Sequence, residues 1–416
     1  EVHGLTFKNI ETVDAGSDNG VVDKLTTATQ VDLTGTDKEL INTGITFQNL
    51  DSVVFTSSIT GIIAGSALSD TFVIDSGSQV TANEIVFTGF NSTIDAGSGL
   101  EDSVSGADGS QWFISDIDNQ IKSSDITFLG IESVIATGGL LTDIGTSANQ
   151  FTIADNGSID ADAMTFTGFT SITGSGDEIL NASAVIDGLS LTGSNNQVIA
   201  RTSTNAITVS GIAAAQADRL TGSNVAYEVT ANNALTAQAI DFTGLTEVVD
   251  SGTSGDVAST ASDQWTLTDK DDEVVHAGIS FQGIKTLSGG NNILAGHDNN
   301  GLTSDTYTLR SGGDIQVDAM VFVGMDTVNA TGNLDAVEDT GALTLTGNNA
   351  FNVVDGSSII HFTGIDSVTG TGVITGTSGD DIFTVTGNNT LLSKDISFED
   401  VSSVLAGGQG SDGDTV

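Results

Sequence analysis

Apolar and polar positions along this chain alternate in short runs, and the runs recur. An aliphatic residue, a spacer, Phe, a spacer, usually Gly, another apolar residue, then Ser or Thr and Val or Ile make up the segments ITFQNLDSV, ITFLGIESV, ISFQGIKTL and IHFTGIDSV. Its aromatic position falls at Phe7, Phe47, Phe87, Phe128, Phe166, Phe242, Phe281, Phe322, Phe362 and Phe398, with Val209 taking the place in the copy ITVSGI. The period is about 39 residues. A second apolar column precedes the first by 15 or 16 residues at Val31, Phe72, Trp112, Phe151, Tyr227, Trp265, Tyr307 and Phe383, and by 11 at Val198 and Phe351. Within both columns apolar residues alternate with Thr or Ser and are mostly β-branched or aromatic, the spacing and composition of strands. No helical periodicity is sustained; Ile212 to Leu220, rich in alanine, predicts at most one short helical turn.

A repeat this short cannot close its own core, whereas stacked repeats bury equivalent residues on one another. The expected fold is all-β: a parallel β-solenoid of about ten repeats, two coils of about 20 residues per repeat, with phenylalanines stacked like on like along the axis. Separate β-sandwich modules need about 100 residues each and do not fit the period. Residues 1–416 are expected to form one continuous solenoid with a degenerate joint around 175–235. The Gly after the Phe marks a bend that tolerates no Cβ. Asp70, Ser110, Asn149, Asn196, Asp263, Asp305, Asn349 and Asp381, two residues before the second column, suit turns in which a short polar side chain bonds nearby amides. The array starts and stops inside a repeat without polar caps, so an internal stretch of a longer chain, or end-to-end or lateral self-association, is expected.

Composition narrows the chemistry. Ten Lys+Arg against 55 Asp+Glu give a formal net charge of −45, which repels a phosphate backbone and argues against nucleic acid. The chain has no Cys, so thiol redox chemistry and Cys-ligated metals are excluded, and no Pro against 51 Gly, so corners rely on Gly, Asn, Asp and Ser. No apolar run reaches the roughly 18 residues of a membrane helix. The ten cations are scattered singly, and His3, His276, His297 and His361 form no set; His361, beside Phe362, is expected to face outward. A polysaccharide-acting β-helix enzyme would need bases or cations gathered in a groove. Paired carboxylates such as Asp271-Asp272-Glu273 or Asp380-Asp381 read more simply as solvated corners.

Gly376-Thr377-Ser378-Gly379-Asp380-Asp381-Ile382-Phe383 follows the pattern G-G-x-G-x-D-x-U with Thr in second place, and Gly407-Gly408-Gln409-Gly410-Ser411-Asp412 fits its first six positions before Asp414 breaks it. These segments resemble the RTX calcium nonapeptide, and the whole array resembles the strand-repeat regions of large secreted bacterial adhesins and RTX-type surface-layer proteins. The resemblance implies calcium at Asp380, Asp381, Asp412 and Asp414 and secretion to the bacterial cell surface; the alternative for these aspartates is turn formation alone. The expectation that follows is a noncatalytic structural or adhesive protein, a rigid acidic rod or filament of the cell surface or matrix with glycans as candidate partners. The alternatives are a polysaccharide-acting enzyme and a calcium-dependent surface-layer lattice protein.

Overall fold

The computed structural model describes residues 9–16, 22–56, 61–76, 79–90, 92–99, 101–259, 264–296, 304–331, 334–355, 358–405 and 407. Among them the regular structure is β-strand throughout, with no helix and hence none long and apolar enough to cross a membrane. Contacts divide the chain into two compact units, Glu1–Leu189 with Asn196–Gln216, and Ser190–Asn195 with Ala217–Val416. Each is a β-solenoid, a stack of parallel β-coils, and the described residues of the two units make up about 12 turns.

One repeat shows the plan. Thr71–Ser76, Gln79–Ala82 and Ile85–Thr88 form an antiparallel meander, after which Thr93–Asp95 and Ser103–Ser105 run as single coil strands. Outside the meander every neighbour is parallel. Phe72 pairs with Val104, Val104 with Val134, and Val134 with Phe166. Trp112 leads likewise through Leu141 and Ile172 to Val209. In the second unit Tyr227 leads through Val257 and Leu287 to Phe322, and Trp265 through Leu294 and Val328 to Phe362. In each of these four runs a bulky residue of the second column comes first, a residue of the first column comes last, and two aliphatics lie between. Phe72, Trp112, Trp265 and Phe166 are each 0% exposed.

Two expectations change here. Phenylalanines of consecutive repeats do not stack on each other. The chain alternates between two ladders: Ile63, Ile94 and Phe128 belong to one, and Leu25, Val53 and Phe87 to the other. The ladders share a core, in which the rings of Phe72 and Phe128 have centroids 6.0 Å apart. Nor are there two coils of 20 residues per repeat. Parallel partners such as Val104 and Val134 stand about 30 residues apart, because each meander consumes chain without advancing the stack.

The meander also corrects two members of the second column. Phe351 lies in the middle strand Ala350–Asp355, antiparallel to both neighbours, with its ring stacked 5.0 Å from Phe362. Leu343 takes the position equivalent to Phe72, pairing in parallel with Ile374. Val198 is likewise antiparallel to Val209 in a middle strand, Gln197–Arg201. Their spacing of 11 was the sign of a different strand, not of a shortened coil. Ile212 to Leu220 contains no helical turn: Ala206–Gln216 and Arg219–Gly222 are strands, since pairing Leu180 with Ala215 outweighs alanine's helical preference.

The residue two after the first-column aromatic is left-handed wherever it is described. Gly89, Gly130, Gly168, Gly211, Gly244, Gly283, Gly324 and Gly364 have φ between 71° and 77°, and Asn9, Asn49 and Asp400 replace glycine at 58°, 58° and 61°. A Cβ at Gly364 would collide with the carbonyl of Ala330. The bend read from the sequence is therefore both conformational and steric. Several hairpin turns use consecutive left-handed residues without glycine, as at Asn83-Glu84, Ser124-Asp125 and Gln238-Ala239, while Thr43-Gly44 and Ala277-Gly278 place glycine second; this is the type I′ geometry that matches strand twist.

Gly364→Ala is expected to cost about 2–3 kcal/mol and Asn49→Gly less than about 0.5 kcal/mol, measured by denaturant unfolding. Phe166→Ala is expected to cost about 3–5 kcal/mol through the cavity it leaves.

Candidate functional site

Of the four aspartates assigned to calcium, Asp412 and Asp414 lie outside the described residues. Asp380 is exposed. Asp381 is 1% exposed, and its carboxylate accepts the Thr377 amide at 2.5 Å and the Thr377 hydroxyl at 3.0 Å. Lys394 Nζ stands 3.1 Å from its Oδ1, so an ammonium holds the place a bound cation would take and the carboxylate does not fit a calcium ligand as it stands. Gly376 leaves the room: a Cβ there would meet Asp381 Oδ2 at 2.5 Å. Among the described residues no group of three His, Asp or Glu side chains is arranged to hold a metal ion.

What the structure does bring together is a series of buried acids at coil corners. Asp102 Oδ1 accepts the Asp70 amide at 2.7 Å, and Glu132 Oε2 accepts the Asp102 amide at 2.9 Å. The second unit repeats the device: Asp335 Oδ1 accepts the Asp305 amide at 2.9 Å, and Asp366 Oδ2 accepts the Asp335 amide at 3.1 Å. Each carboxylate satisfies an amide of the preceding coil where the strand ladder has not yet begun. Asp70, Asp102 and Asp335 are 0% exposed. Asp102 Oδ2 has no hydrogen-bond partner, and burial, with the neighbouring charges of Asp70 and Glu132, pushes its carboxyl up from the ordinary range although the Asp70 amide opposes this.

Asp143 and Glu178 meet in a similar corner, 5% and 0% exposed. Burial raises Asp143, and Glu178 adds to the rise. Burial would raise Glu178 as well, but amides of Gly176 at 2.8 Å and Ser175 at 2.7 Å hold it below its usual value, so Glu178 keeps the charge. In the second unit Asp250 accepts the amides of Asn224, Val225 and Gly252 and the Tyr227 hydroxyl at 3.0 Å. Burial and this carboxylate push the Tyr227 phenol far up, leaving it a neutral donor.

The turn role expected two residues before the second column is met at Asp70, whose Oδ2 accepts the Ser66 amide at 2.6 Å, and at Asp381. Asn196 and Asn349 differ: with φ of 56° and 52° they start hairpin middle strands and donate to the carbonyls of Ile212 and Ile365. Asp263 lies outside the described residues. His361 faces outward as expected, with Nδ1 2.7 Å from Asn352 Oδ1. His276, by contrast, is 1% exposed, stacked 4.0 Å from Trp265, with Nδ1 3.1 Å from the Gln264 carbonyl and Nε2 3.0 Å from Ser259 Oγ. Asn42 and Ser123 occupy the equivalent hairpin position and donate to the carbonyls of Gln30 and Gln111 at 2.7 and 2.8 Å.

The corner acids Asp102 and Asp335 escaped notice in the sequence, although each stands two residues before a coil-strand valine, Val104 and Val337. That spacing was the available signal. No protein-family model matches the chain, and no curated protein matches it.

Asp381→Ala is expected to destabilise the chain by about 2–3 kcal/mol, since it strands the Thr377 amide and the Lys394 ammonium. Lys394→Met should cost about 1 kcal/mol and the double variant less than the two losses together, checked by a double-mutant cycle in urea.

Proposed function

We propose that the chain is a noncatalytic structural or adhesive protein of a bacterial cell surface or extracellular matrix, exported and deployed as a rigid acidic rod or filament. The observation that carries this reading is where the sequence's regularity goes. The columns of bulky residues, the left-handed bends and the corner acids recur from repeat to repeat, and each serves to hold one coil on the next. A net charge of −45 keeps such bodies apart until cations screen it. Self-association and cell-surface glycans are the partners the reading names.

Electron microscopy of native material tests it. Fibres or surface appendages are expected; planar sheets would favour a surface-layer lattice instead. Turnover of an acidic or neutral glycan, lost on substitution of a defined carboxylate pair, would replace the reading with an enzyme. Calcium as a structural ion is tested by calorimetric melting in EDTA and in excess Ca²⁺: a raised transition assigns such an ion, and an unchanged one removes it.

A further inference from the structure

Every meander has a turn leading into its middle strand and a turn leading out, and successive repeats rest one on the other through these turns. The Lys38 amide donates to the Asn83 carbonyl at 2.8 Å, that of Asn119 to Asp162 at 3.0 Å, that of Asn233 to Ala277 at 2.8 Å and that of Asn349 to Lys394 at 2.8 Å. The side chains across the junction vary. Lys38 stands over Asn83 and Asn349 over Lys394, but at one junction of the first unit acid meets acid: Asp162 faces Asp116 and Asp118 on the turn beneath it, and Asp143 from the adjoining strand end.

The neighbours of Asp162 are committed. The Asp116 carboxylate accepts the amides of Thr146 and Ser147, each at 2.9 Å, which hold it below the usual range, and Gly145 is the residue on which Asp116 and Asp143 both close. Asp143 is bound by the Gly145 amide and Asn149, and has the ionised Glu178 against it. Asp162 has no such donors. It is half-buried, left-handed at φ 49°, and its Oδ2 is enclosed without a hydrogen-bond partner.

We propose that the Asp162 junction is a proton-operated clasp: a proton on Asp162 removes the repulsion from Asp116, Asp118 and Asp143 and tightens one hairpin onto the next, so that this unit gains stability on mild acidification. Burial, then the charges of Asp143, Asp118 and Asp116, push the Asp162 carboxyl up to about 6. A folded value above the unfolded one means that the fold binds the proton more tightly. The stabilisation is therefore present in full below about pH 4 and is lost as pH rises through about 6. The second unit holds a weaker copy, in which Asp318 faces Asp271 and Asp272. Asp318 is exposed, and Lys285 Nζ lies 3.8 Å from Asp272, so screening and a counter-charge blunt it.

The test is thermal unfolding of the whole chain at fixed ionic strength in EDTA, from pH 7.5 to pH 5, for the wild type and Asp162→Asn. Asn tolerates the left-handed turn and cannot ionise. At pH 7.5 the variant is expected to melt about 2–4 °C above the wild type, with the difference about halved by pH 5; Asp318→Asn should give a smaller effect. A difference of the same size at both pH values, or a variant that melts lower at pH 7.5, overturns the proposal. A carbon-13 titration of the Asp162 carboxyl gives a second reading, with a midpoint near 6 expected and a midpoint below about 4.5 contradicting it.

Discussion

The structure depends on the register in which a buried side chain of one coil sits over that of the next. A strand alternates its side chains with a period of two, so a slip by one residue would turn a run such as Phe72, Val104, Val134 and Phe166 out of the core. Three features enforce that register. Large rings close both ends of runs such as Phe72 to Phe166 and Trp265 to Phe362, where aliphatics alone would leave space. A left-handed residue two positions after the first-column aromatic turns the chain at the same point each time. Corner acids such as Asp102 and Asp335 bind amides of the neighbouring coil just before its strand begins.

The meander explains why this solenoid differs from a simple one. By folding three strands back on themselves in one ladder, it makes the chain re-enter the stack on alternating sides. The two aromatic columns are therefore not parallel stripes but the opposite ends of shared runs. Interior polar groups follow from the same plan: Asn42, Ser123 and His276 stand where a middle strand ends, and each engages the carbonyl that precedes an opening-strand core residue. These interior groups are paired by local geometry that recurs among the described residues.

The sequence disclosed the strand class, the two columns and the glycine bend, because these rest on residue type at fixed spacing. It did not disclose the ladder in which each strand lies, since antiparallel and parallel strands share the same alternation of Thr with apolar residues. Phe351 and Val198 were ambiguous for that reason: only pairing distinguishes a middle strand from an opening one. The candidate site was less legible. Asp381 was picked out by its motif, yet its partner Lys394 stands 13 residues away and reaches it only through the hairpin. Glu178 and Asp143 are 35 positions apart and meet because their strands, Met164–Asn181 and Ser133–Asp143, are parallel neighbours.

The alternation of repeats between two ladders is tested most directly by cross-linking, which the absence of native cysteine makes clean. Thr71 and Ser103 face each other on adjacent coils, with hydroxyls 3.3 Å apart, so a chain carrying Thr71→Cys and Ser103→Cys should oxidise readily to an internal disulfide. Thr88 and Leu129, each one residue after the aromatic in consecutive repeats, belong to different ladders, and cysteines there should remain free. A disulfide in the second pair and none in the first would mean that consecutive repeats stack like on like, contrary to the fold described.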